Sequence, residues 1–291
     1  MQAAIDLTII VPFYNQYPYI GECLQSISSQ SLASLEVICI DDASDDGSRE
    51  VARDCASEDA RFTLLTNSRN LGPGESRNLG IDAARGRFLR FVDSDDLLPP
   101  PSSESLLQRA REKNSDLVKG VLAQFQEANW REPFAFTFAA DRDHVDFKIE
   151  EALWVPWWHQ SFLVSTDLVR RNALRYPNLR RGEDPPFLAS VLVNASKISL
   201  IDEVVYLYRR YKKTDGSAQV DFPSLVDSLI HAQMVKDIYL AAHPDAWNKG
   251  YGPYLLEDVQ RYVKRAQLTE VEKNQVSQLI RDVWPSSQTR W

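Results

Sequence analysis

The feature that most restricts how this chain can fold is an alternation, within its first 92 residues, of short apolar runs with segments of helical period. Leu7-Thr8-Ile9-Ile10-Val11 is a β-branched run that ends at Pro12, and residues 35–40 form a second run that ends on Asp41-Asp42. Residues 62–65 and 87–92 read as further strands. Between them, Ile20, Cys23, Leu24 and Ile27 recur at helical spacing, and helices fit residues 47–57 and 74–84. Strand–helix–strand alternation with short connections implies a mostly parallel sheet flanked by helices. Such sheets bind ligands outside the carboxyl ends of their strands. Asp41-Asp42 and the aspartates of residues 93–96 both follow a strand, so they can meet at one edge of the sheet.

Pro99-Pro100-Pro101 interrupts the pattern, and Ser102 or Ser103 is placed to cap a helix running to about residue 113. Residues 117–150 read as antiparallel strands or an irregular insertion. From about residue 222 the pattern is helical, with Val226, Ile230, Met234 and Ile238 at every fourth position. Thr269-Glu270-Val271-Glu272 fits a capping box before a last helix. The expected organisation is one domain over residues 1–220, in two halves at 1–100 and 101–220, followed by a helical extension at 221–291.

Composition narrows the partners. The 291 residues carry a formal net charge of −8 and no basic stripe, which argues against nucleic acid. An acidic protein can still hold an anionic nucleotide when a divalent cation bridges the two. Cys23, Cys39 and Cys55 have no metal-ligand spacing and read as small apolar residues in a reducing compartment. With no signal-like start and no apolar run near 18 residues, a cytoplasmic protein is expected, either free or peripherally attached at the inner face of the membrane.

The acidic segments carry the chemistry. Phe91-Val92-Asp93-Ser94-Asp95-Asp96 puts three carboxylates in four residues, and these repel unless something cationic lies between them. A turn after a buried strand can aim two of them at one hard cation, Mg²⁺ or Mn²⁺, that keeps positions open for phosphate oxygens. In Ile40-Asp41-Asp42-Ala43-Ser44-Asp45-Asp46-Gly47-Ser48, Asp45 or Asp46 suits a helix N-cap. The Asp41-Asp42 pair at the strand end offers a carboxylate to the imide N–H of a uracil. Asn70-Leu71-Gly72-Pro73-Gly74-Glu75-Ser76-Arg77-Asn78-Leu79-Gly80 makes a tight turn into a helix, whose N–H groups, with Arg77, suit a nucleotide phosphate or base.

Together these segments resemble the family 2 glycosyltransferases, inverting enzymes of GT-A fold that use nucleotide-diphosphate sugars. Thr8-Ile9-Ile10-Val11-Pro12-Phe13-Tyr14-Asn15 is similar to that family's opening strand, and the Asp41-Asp42 segment to its nucleotide-binding turn. Asn70-Leu71-Gly72, Ser76-Arg77-Asn78-Leu79-Gly80 and Asp93-Ser94-Asp95-Asp96 follow in the family's order. The resemblance implies Asp42 at the uracil, with Pro12, Tyr14, Asp41 and Arg77 in the nucleotide site. It implies Asp93 near the ribose and metal, Asp95 as a metal ligand, and Mn²⁺ or Mg²⁺ as cofactor. Arg181-Gly182-Glu183-Asp184-Pro185-Pro186-Phe187 is similar to the family's Glu-Asp motif, which makes Asp184 the catalytic base, with Glu183 beside it.

Trp154-Val155-Pro156-Trp157-Trp158-His159 lies where the resemblance implies part of an acceptor cleft. Trp157 and Trp158 suit stacking on a sugar or packing beneath it, and His159 suits acceptor binding or the surface. Tyr208-Arg209-Arg210-Tyr211-Lys212-Lys213 is a basic patch that approaches a diphosphate or simply ends a strand. The implied reaction moves a sugar, most simply from a UDP-sugar, to a hydroxyl of a glycan or lipid-linked acceptor, with surface polysaccharide assembly as the expected setting. Two other readings stand beside it: a non-catalytic sugar-nucleotide-binding or scaffold protein, and a sugar nucleotidyltransferase, whose Gly-rich N-terminal loop is missing here.

Overall fold

The computed structural model describes residues 4–126, 130–133, 140–156, 158–210 and 221–285. The chain divides into two compact units. The first comprises Met1–Asp146, Trp158–Tyr176 and Asn194–Lys212, and the second Phe147–Trp157, Pro177–Val193 and Lys213–Trp291.

The first unit is built on a sheet. Strands β1 (Leu7–Phe13), β2 (Leu35–Asp41), β3 (Phe62–Thr66) and β4 (Phe88–Phe91) alternate with helices α1 (Tyr19–Ser28), α2 (Ser48–Glu58) and α3 (Pro73–Ala83). Helix α4 (Ser102–Lys113) leads to β5 (Leu117–Gln126), β6 (Trp130–Pro133) and β7 (Arg142–Val145). β8 (Phe162–Ser165), the short α5 (Thr166–Arg171) and β9 (Ile198–Arg209) complete this unit. Among the described residues the sheet has nine strands in the order β3-β2-β1-β4-β8-β5-β9-β7, with β6 paired to β5. β2 runs parallel to β1 and β3, and β1 to β4. β8 is antiparallel to both β4 and β5, while β9 is parallel to β5. β6 and β7 are antiparallel to their partners. The expected helix-flanked, mostly parallel sheet is present, and residues 117–145 contribute the antiparallel strands anticipated there.

The reason is burial on both faces. Every residue of β1 and of β2 is buried, as strands covered by helices on each side must be. The apolar stripe of α1, Ile20, Cys23, Leu24 and Ile27, packs into the same core as Val11, Val37 and Leu106. Because the chain passes from β3 across β1 to β4, the strand order reverses beside β1. The carboxyl ends of β1, β2 and β4 therefore border a switch point, the usual ligand edge of such sheets.

The start of α4 differs from expectation. Its N-cap is Pro101, and neither serine caps it. Both serines point inward and accept from Arg90 Nη1, at 3.0 Å for Ser102 and 2.9 Å for Ser103, while Arg90 Nη2 donates to the Val205 carbonyl. Arg90 is fully buried in β4. Burial pushes its guanidinium down to about 9, which still leaves it charged at neutral pH, so the hydroxyls are needed to satisfy it. The entry to α2 differs in a smaller way. Gly47 is the N-cap, while Asp46 accepts from the Ser48 backbone N–H at 3.0 Å.

The second unit holds α6 (Asp184–Asn194), α7 (Phe222–Ala242), a π-helical turn at Ala246–Tyr251, α8 (Gly252–Arg265) and α9 (Glu270–Val283). The capping box at Thr269 and Glu272 is formed. α7 exists as read, but its buried face is Leu225, Leu229, Ala232, Val235 and Tyr239, and Ile230 is 40% exposed. A strict fourfold spacing drifts around a helix of 3.6 residues per turn, so the series 226, 230, 234, 238 does not stay on one face.

The serine pair gives a stability test. Replacing Ser102 and Ser103 together by alanine strands a buried charged donor and should lower the unfolding free energy by at least about 1.5–3 kcal/mol, the worth of a hydrogen bond to a charged group. A urea melt reads this as a lower midpoint at unchanged slope; an unshifted midpoint counts against Arg90 as the tie between β4, α4 and β9.

Candidate functional site

The aspartates at the carboxyl edge divide into those that hold the backbone and those that remain available. Asp41, at the end of β2, is fully buried. Its Oδ1 accepts the Ser44 N–H at 2.9 Å and its Oδ2 pairs with Arg49 Nε on α2. Both oxygens of Asp41 are thus engaged in closing the turn. The same turn steadies the residues after β1, because Asn15 N–H donates to Ser44 Oγ at 3.1 Å and Asn15 Oδ1 accepts from Asp45 N–H at 2.9 Å. Pro12 is buried within β1, and Tyr14 just beyond it is 45% exposed.

Asp42 is 3% exposed and holds the loop before α3. Its Oδ1 accepts from Asn67 Nδ2 at 2.7 Å and from Leu71 N–H at 2.9 Å, and its Oδ2 accepts from Gly72 N–H at 2.8 Å. Gly72 is the N-cap of α3 at φ +90, a left-handed conformation open to glycine. A carboxylate offers about four lone-pair sites, so a fourth donor can still reach Asp42 through Oδ2.

α3 carries this anchoring on to Asp93. Arg77, 4% exposed, donates from Nη2 to Asp93 Oδ1 at 2.7 Å, and its guanidinium carbon lies 5.3 Å from the Tyr176 ring centroid. Gln160 Nε2 donates to Asp93 Oδ2 at 2.6 Å. Burial alone opposes the Asp93 charge, but the Arg77 guanidinium, His159 and the Gln160 hydrogen bond outweigh it and hold the carboxyl below its usual range.

Asp96 turns inward. It is fully buried and accepts from the Tyr206 hydroxyl at 2.8 Å and from Arg209 N–H at 2.7 Å. Tyr206 in turn accepts the Asp93 N–H at 3.1 Å. Burial, together with the charges of Asp95 and Asp93, pushes the Asp96 carboxyl well above its usual range. Asp95 is held through its backbone, its carbonyl accepting from Arg209 Nε at 2.7 Å, and its side chain is half-buried at the edge. Arg209 also pairs with Glu22 at 2.6 Å and lies over the rings of Tyr19 and Phe125. It locks the aspartate turn to β9. Residues 211–213 of that patch lie outside the described residues.

The aromatic segment is split. Trp154 is 5% exposed in the second unit, with its Nε1 donating to the Phe147 carbonyl at 2.8 Å. Trp157 lies outside the described residues. Trp158 is half-buried in the first unit, with its ring 5.3 Å from that of Tyr208. His159 is not at the surface. It is 2% exposed, edge-on to Phe91 and Tyr176 at 5.8 and 5.7 Å. There it strengthens the charge of Asp93.

In the second unit, α6 begins at Asp184. Pro185 and Pro186 occupy its first turn, where backbone N–H groups have no intrahelical partner, so the helix start tolerates both. Glu183 is 8% exposed and Asp184 is half-buried, which leaves Asp184 the more accessible of the two carboxylates.

Sequence reasoning missed Gln160, Asn67 and Tyr206. None belongs to a motif, and each acts on an aspartate remote in sequence. The only signal for Gln160 is its place beside His159.

The family described as Glycosyl transferase family 2 matches residues 8–175. The chain is 30% identical over 272 residues to the uncharacterized glycosyltransferase EpsJ of Bacillus subtilis, covering 90% of this chain and 76% of that one. It is 30% identical over 219 residues to a poly(ribitol-phosphate) beta-glucosyltransferase of Bacillus spizizenii, covering 73% of this chain and 33% of the relative. The crystal structure of S. aureus TarS 1-349 in complex with UDP-GlcNAc superposes with a TM-score of 0.73 at 22% identity, over 96% of this chain and 80% of that one, which establishes the GT-A fold. The strand-end aspartates and their order in the chain therefore have a plain explanation: this chain belongs to glycosyltransferase family 2.

Proposed function

We propose that the chain is a metal-dependent, inverting glycosyltransferase that moves a sugar from a UDP-sugar to a hydroxyl of a glycan or lipid-linked acceptor in surface polysaccharide assembly. The observation that carries this reading is the continuous hydrogen-bonded edge from Asp42 through the 67–72 loop and α3 to Arg77 and Asp93. It ties Asp42, to which this reading gives the base, to Arg77 and the Asp-x-Asp turn in one network. The likeness to a structure that holds UDP-GlcNAc supports the donor, and the relative named for poly(ribitol-phosphate) supports a polymer acceptor. No helix among the described residues is long and apolar enough to cross a membrane. A site of action in the cytoplasm or at the inner face of the membrane fits a nucleotide-sugar donor.

The donor set fits a hard cation. Among the described residues no cluster of three or more His, Cys, Asp or Glu side chains forms a closed cage. An ion would rest on Asp95 and Asp93 and complete its shell with phosphate oxygens and water, as Mg²⁺ and Mn²⁺ do. When bound, it would neutralise charge on the departing diphosphate. In this reading the remaining acceptor site of Asp42 takes the uracil imide N–H, Tyr14 lies beside the base, and Arg77 keeps Asp93 ionised and oriented. Asp184 accepts the proton of the attacking hydroxyl. No covalent intermediate is required.

Three measurements test the assignments. Asp95→Ala should abolish the metal dependence of UDP binding while leaving the fold intact, since it removes a like charge beside Asp93 and Asp96; unchanged UDP–Mn²⁺ affinity by calorimetry would remove Asp95 from the site. Asp42→Ala should weaken UDP by about 1–3 kcal/mol, the cost of buried donors left unpaired, and equal binding by the two proteins would exclude Asp42. Asp184→Asn should slow transfer about 10²–10⁴-fold, the usual contribution of a general base, with UDP–metal affinity unchanged. A scaffold or nucleotidyltransferase reading gains if wild type releases no UDP from any UDP-sugar and acceptor pair.

A further inference from the structure

The base turn rests on a buried histidine from a helix far along the chain. Gly182 has φ +75, and a Cβ built on it would lie 2.3 Å from His231 Nδ1. The hydrogen that glycine carries in that direction therefore points into the imidazole ring, two residues before Asp184. His231, on α7, is 3% exposed. Its Nε2 lies 3.0 Å from the hydroxyl of Tyr251, which is fully buried at the end of the π-helical turn. Its Nδ1 is buried and has no hydrogen-bond partner.

This geometry selects a tautomer. A proton on Nδ1 would meet the Gly182 C–H head-on and leave a buried N–H unsatisfied, which is costly. A lone pair on Nδ1 accepts that C–H as a weak contact. The proton then belongs on Nε2, which donates to the Tyr251 oxygen. With its oxygen already accepting, Tyr251 is left to use its own proton as a donor. Burial pushes the imidazole down to about 4, with Arg181 adding to the effect and Asp184 opposing it. His231 is thus neutral at physiological pH and does not serve as a proton sink. Burial, then the charge of Asp184, pushes the Tyr251 hydroxyl well above its usual range, with Tyr239, Tyr254 and Asp258 adding smaller effects. Both side chains therefore lie within the field of the Asp184 carboxylate.

We propose that His231 is a positioning residue for the base. It supports the Gly182 backbone two residues before the base and, through Nε2, is itself fixed by the hydroxyl of Tyr251 at the end of the π-helical turn. This rests on the reading of Asp184 as the base. It also gives α7 and the π-helical turn a part in the reaction: they hold the backbone turn that directs a carboxylate they do not carry.

The test compares His231→Phe, His231→Gln, Tyr251→Phe and Asp184→Asn, alone and with the His231→Phe/Asp184→Asn double variant, in UDP-release assays with intact fold checked by thermal melting. Glutamine returns a donor near the Nε2 position, and phenylalanine does not. His231→Phe and Tyr251→Phe should lower kcat about 10–100-fold, the scale of lost outer-shell partners, with the KM for donor unchanged. His231→Gln should recover much of the rate, and His231→Phe should cost little more once Asp184 is already Asn. Should His231→Phe fail to fold, Tyr251→Phe, which removes one oxygen, decides alone. A kcat within twofold of wild type in a folded Tyr251→Phe or His231→Phe protein, while Asp184→Asn is inactive, overturns the positioning role and leaves the base standing. If Asp184→Asn turns over like wild type, the base assignment falls and the positioning role falls with it.

Discussion

The Arg77–Asp93 ion pair is the contact on which the acidic edge depends. Three carboxylates follow β4 within four residues, and at the end of a buried strand their mutual repulsion has little water to screen it. Arg77 is the cation among them, with a side chain only 5% exposed against 26% for Asp93. A guanidinium so deeply placed has to be delivered by a rigid element, here α3. That helix is in turn held by Asp42, through the Leu71 and Gly72 N–H groups at its start. One carboxylate at the end of β2 thus positions the cation that stabilises another at the end of β4.

The acidic residues share the work by depth. Asp41 and Asp96, both fully buried, are satisfied within the protein, and each closes a turn against a later arginine, Arg49 or Arg209. Arg209 also holds the carbonyl of the neighbouring Asp95. Half-buried Asp95 therefore stands beside a carboxylate that has been given over to structure, and Asp42 beside another. The pattern explains why the carboxylates come in adjacent pairs, and why removing an inner aspartate would disturb the site without touching a ligand.

Most of this edge is legible in the sequence because local rules govern it. Apolar runs mark the strands, a Gly-Pro turn marks the start of α3, and aspartates at strand ends can lie only at the carboxyl edge. Legibility ends where the partner is distant. Nothing in residues 102–103 tells a helix cap from an acceptor for a buried arginine on β4. His159 reads as an acceptor contact or a surface residue, yet it is packed between Phe91 and Tyr176, because its surroundings come from β4 and from residue 176. Gln160 carries no motif, and its hydrogen bond to Asp93 spans 67 residues. The buried face of α7 was blurred by apolar residues on two sides of the helix, a distinction that only packing resolves.

The same contrast separates the two units. The match to the family covers residues 8–175, the part that holds the strand-end aspartates. Asp184 and everything that supports its turn lie beyond it. A left-handed glycine flush against an imidazole cannot accept a side chain, and a buried, neutral histidine cannot be replaced without losing a donor or leaving a cavity. The turn before Asp184 is therefore constrained as the acidic edge is, but by packing among Gly182, His231 and Tyr251, whose spacing in sequence obeys no short-range rule. A diphosphate-binding edge needs charges at fixed strand ends, and short motifs suffice to encode it. A base that meets different acceptors needs only one carboxylate held at a definite angle, and many helical surroundings can hold it. In the proposed reading, that difference in physical demand is why the acidic edge is legible in short motifs while the support of Asp184 is read from the structure.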